Sequence, residues 1–289
     1  LVFKIMIPCP ICNHPKTKLK YKLKFNVHEC TNCGFQFCPD ATFNKSLVSD
    51  LNEETREKAL INLRKENFQH IIASIKKNKE IKSKGLEVGP GYGWFLEVCR
   101  DHGISCLGIE PETRFNEHYQ KEGLQVKNGF FPQDLHEESH FDFIAYNDVM
   151  EHLPDLKGIM QANYSLLNPE GLLIVNLPQQ SGLIYFISKL AYRFGVKSLM
   201  DRMWQFNFHS PHMSYFTKQT MNKLAQDNHF EAVESFPLKT INLSEISDRI
   251  EQDKQQGTFA KMATKIGVFI LFPLLQIFPD TRCFIFVKR

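Results

Sequence analysis

The sequence predicts a doubly wound α/β domain preceded by a small cysteine ribbon. Three observations carry this reading. Residues 85–93, Gly-Leu-Glu-Val-Gly-Pro-Gly-Tyr-Gly, run a short apolar strand into a glycine loop. A second apolar run, 104–109, ends on Glu110. Near the N-terminus, Cys9-x2-Cys12 and Cys30-x2-Cys33 are separated by seventeen residues.

The cysteines come first along the chain. Each pair sits on a short turn, and Gly34 follows the second pair. Two such knuckles suit one tetrahedral Zn²⁺ held by the four thiolates of Cys9, Cys12, Cys30 and Cys33, a structural site with no open position. Between them, Lys16 to Val27 alternates like a hairpin strand. The plainer alternatives are a disulfide pair or four unconnected thiols. Nothing resembling a full signal peptide precedes them, so a cytoplasmic, reducing setting is expected. Cys38 is a spare thiol. A ribbon of residues 1–45 has too little core to fold alone, so the metal is expected to supply most of its stability.

Residues 46–82 read as a helical linker. Over 49–80, Ser49 or Asp50 is the cap, and Glu53, Glu54 and Glu57 lie near the positive end. Lysines gather at the other end. Leu60, Leu63, Phe68, Ile71, Ile72 and Ile75 give one apolar face, expected to pack on the sheet domain and tether the ribbon to it.

The sheet domain is expected over 83–289. Its strands read as 86–88, 104–109, 124–127, 141–147 and 171–177, followed by 230–238 and 282–288. The first helix runs from Tyr92 to His102 and stops at Gly103. Residues 179–216 form a long connection holding an amphipathic stretch, Leu183 to Phe194, and then an aromatic stretch with His209 and His212. Connections of this length are usually functional, and this one leaves a strand's carboxyl end, so it reads as a lid over a substrate. Residues 266–279 are the most apolar run, too short to span a bilayer. A core helix between the last strands is the expected reading, and a membrane-facing patch for a lipid-linked substrate is the disfavoured one.

The 289 residues carry a net charge of +3, and the only long basic run is 76–84. That balance argues against an electrostatic nucleic-acid binder. The glycine loop and Glu110 instead indicate a nucleoside-bearing cofactor, the carboxylate gripping ribose hydroxyls. Gly89, Gly91 and Gly93 are spaced G-x-G-x-G, whereas a dinucleotide fingerprint is G-x-G-x-x-G, with a pyrophosphate on the helix N-terminus. S-adenosylmethionine has no phosphate to hold.

A wider pattern supports this choice. The segments EVGPGYG, GIEPE, FDFIAYNDVMEHLPD and LLNPEGLLIVNLP, in that order, resemble the class I S-adenosylmethionine-dependent methyltransferases. The resemblance is to the branch that includes ubiquinone-pathway and polysaccharide-cluster enzymes, in which a cysteine ribbon often precedes the domain. It implies a Rossmann-like seven-stranded sheet whose last strands form an antiparallel hairpin. It also implies that Gly89, Gly91 and Gly93 pass under the cofactor's methionine and ribose. Glu87 would stand near the methionine amino group, or else only cap the loop. Glu110 would hold the ribose. Asn128, Gly129 and Phe130 would bracket the adenine, with Phe130 otherwise plain core. Asn147 and Asp148 would border the transferring methyl.

The expected reaction is methyl transfer to a small-molecule acceptor, a hydroxyl of a sugar, sugar phosphate or polyketide-like metabolite, with no divalent metal in the active site. His209 or His212 would be the general base and His152 the reserve, each otherwise a structural residue. Two alternatives stand beside it. One is a methyltransferase of nucleic-acid ribose or protein with the ribbon as reader. The other is a non-catalytic cofactor-binding scaffold. Methylation of a flipped base is disfavoured, because Tyr146-Asn147-Asp148-Val149 contains no proline where enzymes of that kind carry an Asn/Asp-Pro-Pro-aromatic loop.

Overall fold

Strand β7 (Phe141–Asn147) is buried at every position, and β8 (Leu167–Pro178) is buried from Gly171 to Leu177. Continuous apolar runs of this kind belong inside a sheet covered on both faces. The computed structural model describes residues 7–43, 60–135, 140–241 and 258–289. The start of the expected linker helix, 49–59, lies outside them.

Around β7 and β8 the chain builds a seven-stranded sheet. Its order is β10 (Phe230–Leu238), β11 (Thr281–Lys288), β8, β7, β4 (Gly85–Val88), β5 (Cys106–Glu110) and β6 (Val126–Asn128). β4 pairs in parallel with both β5 and β7, while β11 is antiparallel to β8 and β10. The expected antiparallel final hairpin is therefore present. The chain runs outward from β4 in one direction through β5 and β6, then returns to β7 on the other side. That reversal opens a crevice beyond the carboxyl ends of β4 and β7.

Helices cover both faces. α1 (Ile61–Asn78) and α2 (Trp94–Asp101) pack together through an edge-on contact between Phe68 and Phe95 at 5.4 Å. Ile71 and Ile75 of α1 share a cluster with Cys283 and Ile285 of β11. α3 (Asn116–Glu122) lies beside α2 on the same face, His118 Nε2 standing 3.5 Å from Glu97 Oε1, and on the opposite face are α4 (Leu156–Leu166) and α7 (Lys218–Gln226). Met221 and Leu224 of α7 lie in the same cluster as Phe284 and Phe286.

This arrangement corrects one expectation. Residues 266–279 do fall on a helix, α8 (Thr258–Ile277), but it is not a core helix. Phe269 is 71% exposed and Ile270 67%. α1 and α7 already cover both faces of the β10–β11 hairpin, so no apolar surface of the sheet remains for α8.

The ribbon docks through the lid. β1 (Thr17–Lys22), β2 (Asn26–Cys30) and β3 (Gln36–Phe37) form a small sheet, and β9 (Ser214–Tyr215) of the lid is its fourth strand. Gln36 pairs with Tyr215 and Phe37 with Ser214. The two lid helices, α5 (Leu183–Arg193) and α6 (Ser198–Met203), close over the join. Tyr21, Val27 and Cys38 of the ribbon share one apolar cluster with Tyr185, Met200, Trp204 and Phe206 of the lid. A ribbon too small for its own core thus shares one. Trp204 is completely buried there. Trp204→Ala is expected to cost about 3–5 kcal/mol, read as a lower melting midpoint of lid and ribbon together.

Candidate functional site

Glu87 leaves β4 into the crevice. It is 2% exposed, and its Oε1 accepts a 2.9 Å hydrogen bond from Asn147 Nδ2 at the end of β7. Its Oε2 has no hydrogen-bond partner among the described residues. Burial raises its pKa to about 8, so the carboxyl is largely protonated at neutral pH.

The glycine loop follows. Gly89, Gly91 and Gly93 have φ of 69°, 55° and 78°, conformations that other residues adopt only with strain. A Cβ on Gly89 would stand 2.9 Å from Val149, and one on Gly93 2.6 Å from Leu124, whereas one on Gly91 would meet nothing within 4 Å. The loop is therefore packed from behind and open above Gly91. Tyr119 from α3 donates to the Gly91 carbonyl.

Glu110, 6% exposed, closes β5. Its Oε2 accepts from Gly91 N at 3.2 Å and its Oε1 from Glu112 N at 2.9 Å. Burial raises its pKa, against those two backbone bonds. Asn128 exchanges side-chain hydrogen bonds with Asn116 at 2.8 and 3.0 Å. Gly129 has φ 154°, and Phe130 beyond it is 61% exposed, which removes the plain-core alternative for that ring.

Asn147 is buried, and Asp148 has φ 55°. Arg64 reaches from α1 to within 3.2 Å of the Asp148 carboxylate. Sequence analysis missed Arg64. Helical spacing marks the apolar face of α1, and no local pattern joins one of its cations to a strand end eighty residues later.

The three candidate histidines separate into a pair and a single. His152 Nδ1 lies 2.9 Å from the Pro211 carbonyl oxygen and 3.1 Å from Ser210 Oγ. A carbonyl only accepts, so Nδ1 carries the hydrogen and the lone pair resides on Nε2. Burial lowers the His152 pKa, favouring the neutral ring. The His212 ring, 4% exposed, packs edge-on against His152 at 4.8 Å between centroids. His209 stands apart, its Nε2 3.2 Å from Glu112 Oε1. That contact and Arg114 hold the Glu112 pKa at about 2.

Glu151, for which the sequence suggested no role, lies between these groups. It is 1% exposed, neither carboxylate oxygen has a hydrogen-bond partner among the described residues, and burial drives its pKa well above the usual carboxylate range. Ligand-type atoms of Glu151, His152 and His212 lie within 4.8 Å of one another.

The four ribbon thiols also converge. Cys9 Sγ and Cys33 Sγ are 3.7 Å apart, Cys12 Sγ and Cys30 Sγ 3.5 Å, and all four lie within 4.8 Å. A tetrahedron with metal–sulfur bonds of about 2.3 Å has edges of about 3.8 Å. Cys38 is outside the set, buried among the ribbon–lid aromatics, with its thiol pushed up to about 12.

Comparison with known proteins agrees with this architecture. A family profile described as a methyltransferase domain matches residues 53–235, more than half of the chain. No curated protein sequence matches. Among solved structures, phosphoethanolamine N-methyltransferase 2 of Haemonchus contortus, in complex with S-adenosyl-L-methionine, is similar at 15% identity and TM-score 0.54, over 94% of this chain and 71% of that one. The cyclopropane synthase MmaA2 of Mycobacterium tuberculosis is similar at 12% identity and TM-score 0.54, over 76% of this chain and 83% of that one. Identities this low carry the fold and nothing finer. The family match, with the glycine loop and carboxylates around the crevice, shows that the chain belongs to the methyltransferase-domain family and is an enzyme of S-adenosylmethionine-dependent methyl transfer.

Proposed function

We propose that the enzyme methylates a hydroxyl of a small molecule, a sugar, sugar phosphate or polyketide-like metabolite. One observation carries this reading: a neutral His152, locked by Pro211 with its lone pair on Nε2, paired with His212 beside the strand end where Asn147 and Asp148 lie. A hydroxyl needs its proton removed as it attacks, and a neutral imidazole is suited to that. The cofactor supplies an electrophilic methyl on a good leaving group. The chain's own task is to align the acceptor and take the proton.

The residues present fit the cofactor. The open space above Gly91 gives it room. Glu110 would bind the ribose, the exposed Phe130 ring would stack on the adenine, and the unpartnered Glu87 Oε2 would receive the amino group. His209 and Glu112 would tie the lid down on the nucleoside side. The ribbon thiols fit Zn²⁺ in their chemistry and spacing, as a structural ion remote from the proton transfer.

The test is transfer of label from S-adenosylmethionine to a panel of hydroxyl acceptors. A base-stable ether product is expected. Label recovered only in RNA or protein overturns the reading. Two binding results accompany it. Glu110→Ala is expected to lose about 1.5–3 kcal/mol of cofactor affinity by calorimetry, through loss of charge-assisted hydrogen bonds; unchanged affinity would mean that another acid holds the ribose. Glu87 gives a pH signature. Its carboxyl starts protonated, with pKa about 8, and must ionise to pair with an ammonium. Binding therefore releases a proton and tightens as pH rises towards 8. In Glu87→Gln this dependence should vanish.

A further inference from the structure

Helix α8 displays an apolar stripe that nothing in the described chain covers. Met262, Ile266, Phe269, Ile270, Leu274 and Ile277 are all exposed, at spacings of three and four residues that place them on one face. Phe278 continues the row past the helix end. Contiguous exposed surfaces of this extent mark interaction sites.

A second stripe adjoins it. Phe186 and Leu190 of α5 and Phe194 just past its end are exposed at four-residue spacing, Phe194 to 80%. The two helices meet end to end, with Leu183 N donating to the Phe278 carbonyl at 3.2 Å and Ile184 N to Asp280 Oδ1 at 2.9 Å. The patch is thus continuous across two elements far apart in sequence.

Charge identifies the occupant. Residues 258–279 contain no Asp or Glu. On α5, Lys189 and Arg193 stand one position before Leu190 and Phe194, Lys197 follows, and no acid occurs between Phe186 and Lys197. An apolar stripe edged by cations and lacking anions is suited to the headgroup–acyl boundary of an anionic bilayer. A protein partner would not require this one-sided charge. Spanning is not involved, because no described helix is long and apolar enough to cross a membrane.

We propose that α8 and α5 form a membrane-docking face that lies in the interfacial plane of a bilayer containing anionic lipid. The proposal stands independently of the acceptor, since it is read without turnover.

Flotation of the full chain with vesicles tests it. Wild type is expected to float with mixed phosphatidylcholine–phosphatidylglycerol vesicles, to float less with pure phosphatidylcholine, and to be released in part by salt. The Phe269→Ser/Ile270→Ser variant is expected to lose about 10–100-fold in partitioning, as does a separate Phe194→Ser/Leu190→Ser variant, each with wild-type melting and cofactor affinity. Two variants on different helices of the one patch guard against a local folding defect in either. Wild type that stays in solution with every vesicle overturns the proposal. Flotation unchanged in both variants overturns it as well. So does a stable dimer by light scattering that the variants convert to monomer, which would assign the face to a second copy of the chain.

Discussion

Turnover of His152→Ala is expected to fall about 10²–10⁴-fold, the contribution of a positioned general base. The geometry singles out this residue among three histidines. Its Nδ1 is committed to Pro211, its ring is kept neutral by burial, and it follows the strand that ends at Asn147. The pH profile should carry the same signature. Burial lowers the His152 pKa below the usual value near 6.5, so the base form dominates at neutral pH. Wild-type turnover should therefore be flat around pH 7 and decline only as the medium becomes acidic. His212→Ala should have a smaller effect, because that ring supports His152. His209→Ala should weaken cofactor retention more than chemistry, because its partner is Glu112, whose backbone N donates to the Glu110 that we propose holds the ribose. Melting curves and cofactor titrations run beside the kinetics separate lost chemistry from lost folding. Near-normal turnover in all three variants would leave no histidine as base, and the enzyme would then act by proximity on an acceptor that needs no deprotonation.

Removal of the zinc ion that we propose for the four ribbon thiols should be the most damaging change to stability. Structural zinc sites in isolated fingers contribute on the order of 10–16 kcal/mol of folding free energy. Here the sulfurs of Cys9, Cys12, Cys30 and Cys33 are already gathered, and the ribbon shares its sheet and its aromatic cluster with the lid. A chelator, or Cys12→Ser, should unfold the ribbon, release β9 and loosen the lid around His212. Cofactor binding, which we propose at Glu87 and Glu110, should survive, because those residues belong to the large sheet. The expected pattern is one zinc per chain by elemental analysis, a separate low-temperature melting step after chelation, and lost turnover with retained cofactor affinity. Protein purified without metal and melting as before would remove the claim.

Much of the large sheet and its cofactor rim was legible in the chain. Local chemistry dictates those parts. A glycine loop between a buried strand and a helix can have few shapes, and Gly89, Gly91 and Gly93 do take up positive φ. Glu110 ends its strand as its position implied. The four thiols converge as their spacing implied. Boundaries moved by a few residues, β8 beginning at Leu167 where 171 was expected.

Other features depended on distant partners. Arg64 meets Asp148 only because α1 packs beside the carboxyl end of β7. Glu151 is an unpaired acid only because the lid buries it together with His152 and His212. The apolarity of 266–279 suggested a core, and it lies outside because α1 and α7 already cover the last hairpin. The ribbon also takes its fourth strand from residues 214–215 of the lid, a pairing that no local pattern in either segment announces.

By itself, then, the sequence determined the sheet, the cofactor class and the gathering of the four thiols, because periodicity, glycine geometry and cysteine spacing act over a few residues. Only the tertiary structure decided which histidines meet, which carboxyls are buried, what the ribbon rests on and which apolar helix faces outward. Those outcomes depend on what surface remains uncovered once every element has packed, and no single segment encodes that.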